Sequence, residues 1–303
     1  MIEVKKLVKR FGDFQALHEV SFKAREGEIL GFLGPNGAGK TTTMRILTGY
    51  MPPTGGTATI AGHDVFNDSM AVRKQIGYLP ETVPLYPDMT VQGYLEFAAE
   101  LRGVPKRKQR IREVLELVGM AERSRSLIRT ISKGMRQRVG LAQALIHNPT
   151  VLILDEPTIG LDPHQVSDLR EFIRSLGGQH TIMFSTHILT EAEQVCDRVV
   201  IINKGQIVAE GAPNELRDAL QINSRVYVRV QGHYDIAKLA KSLEGLAGVS
   251  SVEAHGDALV VTSKAKHEVR PAIANTIAQQ GLALLELRPL TVTLEEIFLE
   301  YTT

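Results

Sequence analysis

The sequence lacks most features of secreted, membrane-spanning and disordered proteins. It contains one cysteine, Cys196, which excludes an internal disulfide and a cysteine-based zinc site and leads us to expect a reducing compartment. No apolar run approaches the roughly 20 residues that span a bilayer. Residues 1–9 alternate apolar and charged side chains, so we expect no secretion signal. With 43% hydrophobic and 23% charged residues, the 303-residue chain is typical of a globular protein with about two domains.

The charge is nearly balanced overall but uneven along the chain. The formal net charge is +1, whereas residues 102–138 contain twelve Lys and Arg against three Glu. A charge run of this kind is most often the solvated face of a helix. The alternatives are a surface that docks on a membrane protein or on anionic headgroups, or one that contacts nucleic acid. The charge pattern alone leaves these alternatives open.

Short apolar stretches bounded by turns predict a set of strands in the first 220 residues. The predicted strands are residues 2–8, 20–24, 29–33, 58–61, 151–154, 181–184 and 199–202. The last three are continuous apolar runs, which are typical of strands covered on both faces. Because helical segments fall between them, they predict a parallel α/β sheet.

The middle of the chain follows a different period. Residues 90–118 show helical spacing, interrupted at Pro105, and predict an all-helical insert. The apolar face predicted for its first helix consists of Tyr94, Leu95, Phe97, Ala98 and Leu101.

The pattern changes again near residue 220. From 225 onward it predicts a strand, a helix, two strands around a turn at Gly256 and Asp257, a second helix and a last strand. That order is the one a small ferredoxin-like sandwich requires. We therefore predict a domain boundary near 220. The alternative is that this part extends the first domain.

Residues 34–41 match G-x-x-x-x-G-K-[ST] and follow the predicted strand at 29–33. Glycines let such a loop wind its backbone N–H groups around phosphate oxygens, and the N-terminus of the following helix adds partial positive charge. Lys40 offers a charge to the outer phosphates, and the Thr41 hydroxyl can ligate Mg²⁺. The strand-then-helix setting favours phosphate binding over a plain glycine-rich turn.

Two carboxylates end the apolar run at 151–154. Asp155 at the strand tip can hold Mg²⁺ through water, and Glu156 can polarise an attacking water as a general base. Strands often end in acidic residues, so the pair alone is weak evidence. The phosphate loop upstream favours the catalytic interpretation.

Residues 1 to about 220 resemble the nucleotide-binding subunit of an ABC transporter, because several further motifs occur in that family's order. Residues 76–81 stand where the family has its glutamine loop, and 131–138 where it has its signature. Asp155 and Glu156 come next, followed by a D-loop at 160–162 and a switch histidine, His187. Five motifs in register make a chance match implausible.

This resemblance implies the fold and the organisation of the chain. The expected fold is an α/β P-loop NTPase cassette, with a RecA-like core, an antiparallel β subdomain and a helical subdomain at about 82–150. It would occupy residues 1–220, with a small α+β ferredoxin-like accessory domain at 221–303. The resemblance also implies an ATPase with ATP and Mg²⁺ as cofactors, and a homodimer that holds two ATP molecules at its interface.

The resemblance assigns roles to matching positions. Phe11 would stack on adenine, and Lys40, Glu156 and His187 would act in catalysis, with Glu156 as the base and His187 at the γ-phosphate. Thr41, Asp155 and Glu81 would form the metal site. The nucleotide-binding positions are Phe11, Gly34, Asn36, Gly37, Ala38, Gly39, Lys40, Thr41, Thr42, Ser132, Gly134 and Asp162. By the same analogy, Ser132 and Gly134 serve the ATP of the other subunit.

Some of these roles have ordinary alternatives, and some positions depart from the common family pattern. Phe11, which replaces a tyrosine, could be a core aromatic, and His187 could be an ordinary residue before a helix. Glu81 stands where glutamine is usual and adds negative charge beside the phosphates. In the signature, Lys133 and Met135 replace a glycine and a glutamine.

These variants are similar to the branch of ABC ATPases that pairs with separate membrane subunits in exporters, closest to gliding-motility and multidrug types. We therefore expect a cytoplasmic protein, peripheral on the inner face of the plasma membrane, that drives export through permease subunits docked near residues 82–101. No nucleic acid is expected as a partner. The alternatives are a soluble ABC ATPase acting on nucleic acid or the ribosome, and another P-loop enzyme, which would leave the signature unexplained.

Overall fold

The computed structural model describes residues 1–220, 225–231, 235–264 and 267–290. Within these ranges the chain forms two compact units, Met1–Pro213 and residues from 214 onward. The predicted domain assignment, with its boundary near 220 and its helical subdomain at 82–150, stays a prediction. Residues 293–299, whose sequence is similar to the C-terminal tail of exporter-type ABC ATPases, lie outside the described residues.

The first unit alternates strands and helices over most of its length. Its strands are β1 (Ile2–Phe11), β2 (Phe14–Ala24), β3 (Ile29–Leu33), β4 (Gly55–Ile60), β5 (His63–Asp64), β6 (Ile76–Leu79), β7 (Val151–Asp155), β8 (Thr181–Thr186), β9 (Arg198–Asn203) and β10 (Gln206–Gly211). Its helices are α1 (Lys40–Leu47), α2 (Ser69–Gln75), α3 (Val91–Leu101), α4 (Arg107–Leu117), α5 (Lys133–Leu145), α6 (Pro163–Leu176) and α7 (Leu189–Val195), and α8 (Pro213–Leu220) follows.

The central sheet has the order β10-β9-β3-β8-β7-β6 and is parallel except for the edge strand β10. Every residue of β3, β7 and β8 is buried, which explains their continuous apolar sequence and confirms the predicted parallel sheet. Because parallel strands share a direction, their carboxyl ends meet at one edge. This geometry brings the segments after β3, β6, β7 and β8 together.

A second, antiparallel sheet has the order β2-β1-β4-β5. Its buried side chains share one hydrophobic core with the central sheet, in which Phe22 packs on Phe32 with ring centroids 5.1 Å apart. β1 runs three residues beyond the predicted end at Val8, and Phe11 pairs with Phe14 at the tip of the β1–β2 hairpin. The hairpin tip thus carries two aromatic rings.

The helical part confirms the predicted helical spacing, and its first helix buries part of the predicted apolar face. Thr90 caps α3 by accepting a hydrogen bond from the Gly93 N–H at 3.0 Å. Of the residues on that face, α3 buries Tyr94, Leu95 and Ala98, whereas Phe97 and Leu101 are 41% and 72% exposed. Phe97 and Leu101 lie at the edge of the apolar face, where the 3.6-residue period turns side chains away from the core.

Five of the fifteen charged residues in the range 102–138 form ion pairs. The ion pairs are Arg107–Glu100 at 3.3 Å, Arg110–Glu113 at 3.3 Å, Arg129–Asp88 at 3.5 Å and Arg138–Asp168 at 3.1 Å. These pairs lie at the surface, where each contributes little to stability. They leave a smaller basic excess than the sequence count indicates.

The second unit contains β11 (Arg225–Gln231), α9 (Ile236–Glu244), β12 (Val249–His255), β13 (Ala258–Ser263), α10 (Arg270–Gln279) and β14 (Ala283–Leu290). Its antiparallel sheet has the order β12-β13-β11-β14, and both helices pack on one face. This topology confirms the predicted ferredoxin-like sandwich. In the described parts of the chain, no helix combines the length and the apolar character needed to cross a membrane.

Candidate functional site

A cavity of about 480 Å³ opens at the edge where the parallel strands end. The hairpin tip of β1 and β2 and the segments after β3, β6, β7 and β8 line it. Ten predicted site residues lie on its wall: Phe11, Asn36, Gly37, Gly39, Lys40, Thr41, Thr42, Glu81, Glu156 and His187. Residues separated by up to 176 positions therefore share one site.

The loop between β3 and α1 requires glycine at two places. A Cβ on Gly34 would lie 2.4 Å from the Ile202 carbonyl oxygen, and Gly39 has a φ of +109°. Any larger residue would push the loop off β9 or strain its backbone. The loop is therefore held close against the sheet, with α1 beginning directly after it.

Lys40 is buried in this loop. Its ammonium donates hydrogen bonds to the carbonyl oxygens of Gly34 at 2.7 Å and Pro35 at 3.3 Å. The same nitrogen lies 3.5 Å from Glu156 Oε1, and both side chains are less than 10% exposed. A buried cation thus faces a buried carboxylate across the floor of the cavity.

Ser185 holds the two acidic residues in place. Its hydroxyl donates to Asp155 Oδ1 at 2.8 Å and accepts the Glu156 backbone N–H at 3.0 Å. Burial raises the pKa of Asp155, the hydrogen bond from Ser185 opposes that rise, and the Glu156 carboxylate adds to it. Ser185 lies two residues before the switch histidine, and the resemblance assigns it no role of its own. Its contact arises because Asp155 and Ser185 are opposite each other in the β7–β8 ladder.

Glu156 and His187 form a direct pair. His187 Nδ1 lies 2.8 Å from Glu156 Oε2, within hydrogen-bond distance. Glu156 has a φ of +49°, an uncommon conformation for a residue with a side chain. The two oxygens of Glu156 therefore face an ammonium on one side and an imidazole on the other.

The tip of the β1–β2 hairpin contributes Phe14 to the cavity, a residue that the sequence did not predict there. Phe14 is 66% exposed and lines the cavity together with Phe11, which is 48% exposed. Phe11 is thus not a core aromatic. Only the pairing of β1 with β2 places Phe14 there, so no motif pointed to it.

The predicted metal ligands supply oxygen atoms alone. Thr41 and Glu81 line the cavity, and Asp155 lies buried beside Glu156. Burial raises the pKa of Tyr78 to about 12, and the nearby carboxylates of Asp155 and Glu81 add to the rise. Mg²⁺ prefers a few carboxylate or hydroxyl ligands together with substrate phosphates, and this set fits that preference. Among the described residues, no group of three or more His, Cys, Asp or Glu could hold a metal without such phosphates.

The predicted signature and D-loop residues lie outside the cavity. Ser132 caps α5 by accepting the Met135 N–H at 3.2 Å, and Asp162 caps α6 by accepting the Gln165 N–H at 2.9 Å. The Gln165 amide covers Gly134, where a Cβ would lie 2.4 Å from its oxygen. These positions lie at the N-terminal ends of α5 and α6 rather than in the chain's own cavity.

Three predicted residues support the cavity without lining it. Gly34 and Ala38 shape the loop from behind, with Ala38 only 3% exposed, and Asp155 is 1% exposed.

Lys133 lies against Gly160 of the same chain, where a Cβ would be 2.1 Å from the Lys133 Nζ. The signature substitution at Lys133 therefore contacts the chain's own D-loop.

Comparison with known proteins gives consistent matches. Residues 17–159 match the family model described as ABC transporter. The ABC transporter ATP-binding protein YhcH of Bacillus subtilis is 36% identical over 305 residues, covering 100% of this chain and 96% of its own length. The bacitracin transport ATP-binding protein BcrA of Bacillus licheniformis is 36% identical over 261 residues, or 83% of this chain and 85% of its own. The Nod factor export ATP-binding protein I of Ralstonia nicotianae is 36% identical over 311 residues, 100% of this chain and 94% of its own.

Solved structures agree with these matches. The structure of an ATP-binding subunit of an ABC transporter has a TM-score of 0.67 and 33% identity, covering 73% of this chain and 93% of that one. A dimeric bacterial ABC transporter cassette has a TM-score of 0.64 and 25% identity, covering 70% of this chain and 98% of that one.

Proposed function

This chain belongs to the family of ABC transporter ATP-binding subunits, and on that premise we propose that it hydrolyses ATP in a head-to-tail dimer to drive export through separate membrane subunits. The cassette fold, the ATP-binding role and the ATPase activity expected from the motifs are thereby confirmed. The observation that carries the proposal is the position of Glu156 between Lys40 and His187 in the cavity.

The cavity offers contacts for both ends of ATP, with aromatic rings for the adenine and the glycine-rich loop for the phosphates. The exposed rings of Phe11 and Phe14 offer stacking faces for the adenine at the hairpin tip. Backbone N–H groups of the loop at 34–39 and at the N-terminus of α1 donate hydrogen bonds to the phosphate oxygens. Lys40 bonds to the outer phosphates, since its ammonium already lies in the loop.

Hydrolysis requires a base beside the γ-phosphate. A water oxygen forms a bond to the γ-phosphorus while the bond from that phosphorus to the β–γ bridging oxygen breaks, leaving ADP. The Glu156 carboxylate accepts the proton that the water loses. His187, hydrogen-bonded to the same carboxylate, fixes its orientation and faces the γ-phosphate.

Mg²⁺ bound by Thr41 and Asp155, with Glu81 nearby, would neutralise charge on the β- and γ-phosphate oxygens. The burial of Asp155 and its bond from Ser185 hold its carboxylate in a fixed direction. That fixed carboxylate is the contribution of this chain to the metal site.

The signature residues act on a second subunit. Ser132, Gly134 and Asp162 lie outside the chain's own cavity, at the N-terminal ends of α5 and α6. Helix N-termini attract anions, so this surface suits the γ-phosphate held by a partner copy. A related cassette of 25% identity is dimeric in its solved structure. Two copies arranged head to tail would close over two ATP molecules.

The membrane subunits would dock on the helical part. Tyr86 and Phe97 lie with ring centroids 5.8 Å apart, and both rings and the Leu101 side chain are exposed. An exposed apolar patch of this kind suits a protein partner. Because relatives are named for transport of bacitracin and export of Nod factor, we assign export as the direction. The chain would then lie at the cytoplasmic face of the plasma membrane.

The proposal is tested by ATP turnover of the purified chain and of Glu156→Gln. The amide keeps the shape of the side chain but cannot accept the proton, so we expect turnover to fall at least about 100-fold. Glu171→Gln, on the exposed side of α6, is the matched control and should keep wild-type turnover. Full activity in Glu156→Gln would show that another group is the base.

A further inference from the structure

One buried carboxylate takes no part in the chemistry described above. Glu191, in the first turn of α7, is 2% exposed. Its Oε2 accepts hydrogen bonds from the hydroxyl of Thr158 at 2.8 Å and from that of Thr186 at 2.9 Å. Both threonines are themselves buried, at 4% and 0% exposure. One oxygen atom thus joins two separate loops inside the protein.

Each of these loops carries a residue of the proposed catalytic pair. Thr158 lies two positions after Glu156, in a turn where the Ile159 N–H donates to the Glu156 carbonyl at 3.2 Å. Thr186 directly precedes His187, and its hydroxyl also accepts the Ile188 N–H at 3.0 Å. The backbone on both sides of His187 is therefore fixed by a residue that bonds to Glu191.

A carboxylate at this place needs an explanation beyond packing. Burying a carboxylate costs free energy unless its partners are strong, and an apolar side chain would fill the same space more cheaply. The partners that the described residues provide are neutral hydroxyls. A carboxylate oxygen, however, can accept two hydroxyl bonds at once, which no apolar residue can do.

We propose that Glu191 is a positioning residue for ATP hydrolysis, which holds the Glu156 loop and the His187 loop at the separation that closes their 2.8 Å bond. This inference rests on the proposed roles of Glu156 and His187. Glu191 does not reach the substrate, because it is buried behind both loops. It acts through Thr158 and Thr186.

The test compares Glu191→Leu, which removes the acceptor at similar volume, with Glu191→Gln, which keeps an acceptor oxygen. We expect Glu191→Leu to lower kcat about 10- to 100-fold while KM for ATP changes less than about threefold, because a small displacement of a catalytic group affects the transition state most. Glu191→Gln should recover most of the lost kcat. Thr186→Val removes one hydroxyl without a buried charge and should lower kcat in the same direction if Glu191→Leu does not fold.

The same substitution in a His187→Ala chain distinguishes a positioning role of Glu191 from a general effect on stability. If Glu191 acts through His187, Glu191→Leu should cause less than about a twofold further loss in a His187→Ala chain. Equal fractional losses in both backgrounds, or wild-type kcat in Glu191→Leu, would overturn the inference.

Amide hydrogen exchange gives a readout that does not depend on activity. Glu191→Leu should speed exchange in residues 156–161 and 186–191 together, and Glu191→Gln should not. Faster exchange confined to α7 would overturn the inference even if turnover fell. An active Glu156→Gln chain combined with joint loosening of both loops would instead refute the proposed base and leave the structural link intact.

Discussion

At the scale of single residues, Glu156 combines an uncommon backbone conformation with three polar contacts. Its φ is +49°, its N–H bonds to Ser185, and its carboxylate faces Lys40 and His187. A left-handed conformation in a residue with a side chain costs about 1 kcal/mol or more and persists only where the surroundings enforce it. Here the enforced direction points the carboxylate into the cavity.

Phe11 gives a prediction for nucleotide affinity. Phe11→Ala should raise the Kd for ATP about 5- to 30-fold, because stacking of a base on an aromatic ring contributes roughly 1–2 kcal/mol. Isothermal titration with ATP measures this, and Phe11→Tyr should bind as the wild type does. Phe66→Ala is the control, since Phe66 is 62% exposed but does not line the cavity. An unchanged Kd in Phe11→Ala would place the adenine elsewhere.

Local motifs predict some residues of the site and cannot predict others. Lys40 begins the helix after the β3 loop and Glu156 directly follows β7, so the local motifs were enough to find both. His187 directly follows β8 and was identified by the resemblance to the family. Ser185 and Glu191 act through contacts between neighbouring loops and strands. Those contacts depend on the register of β7 against β8, which no local pattern in the sequence encodes.

At the scale of elements, β6 and α5 pack closely. A Cβ on Gly77 would lie 2.2 Å from the Ala144 carbonyl oxygen. His147, just after α5, has its Nε2 3.0 Å from the Ile76 carbonyl oxygen. Its Nδ1 is buried and has no hydrogen-bond partner among the described residues. Helix and strand are therefore joined through a neutral imidazole.

This contact predicts a loss of stability in mild acid. Burial, with a further contribution from Arg102, lowers the pKa of His147 from 6.5 to about 4. Folding disfavours protonation of His147. The stabilisation that the neutral ring gives the folded state is therefore present above pH 6.5 and is lost as the pH falls from there towards 4. Since the ring is only partly buried, we expect a loss of about 1 kcal/mol in unfolding free energy between pH 7.5 and 5.

Urea unfolding at the two pH values measures this loss. His147→Asn does not titrate and should lose less stability on acidification than the wild type by about that 1 kcal/mol. The exposed His255→Asn should behave as the wild type does. Equal losses in wild type and His147→Asn would assign the acid sensitivity to other groups.

Helix α3 shows that hydrophobic periodicity predicts a helix but not which side chains at the edge of its apolar face are buried. The spacing predicted α3 and one apolar face, of which Tyr94 and Leu95 are buried whereas Phe97 and Leu101 are exposed. Hydrophobicity at the edge of an amphipathic arc is compatible with burial in the chain or in an interface. The sequence alone does not distinguish burial within the chain from burial in an interface. The exposed rings of Tyr86 and Phe97 support the proposed docking surface.

At the scale of the whole molecule, the parallel sheet accounts for the assembly of the site. Five of its strands run in one direction, and segments from residues 34 to 187 meet at their carboxyl ends. The sequence predicts a site at the carboxyl ends of these strands, because each short buried strand is followed by a polar motif. The ferredoxin-like order of the second unit was predictable for a similar reason, because strand and helix periods alternate cleanly there.

The signature surface could not be assigned to a ligand from one chain. Ser132 is exposed, Gly134 lies beneath the Gln165 side chain, and neither lines the chain's own cavity. In the proposed dimer a second copy brings ATP to them. Dimerisation that depends on ATP is therefore the property on which the proposed mechanism rests. In the proposed mechanism, this dependence arises because the signature is separated from the chain's own cavity.

Light scattering on a sizing column measures this dependence most directly, with Glu156→Gln used to prevent turnover. With ATP and Mg²⁺ we expect twice the 33.4 kDa mass of one chain, and with ADP or no nucleotide a single chain. Adding Gly134→Gln, which would obstruct the signature surface, should abolish the dimer while ATP binding persists. A monomer at saturating ATP, or a dimer independent of nucleotide, would contradict the head-to-tail mechanism.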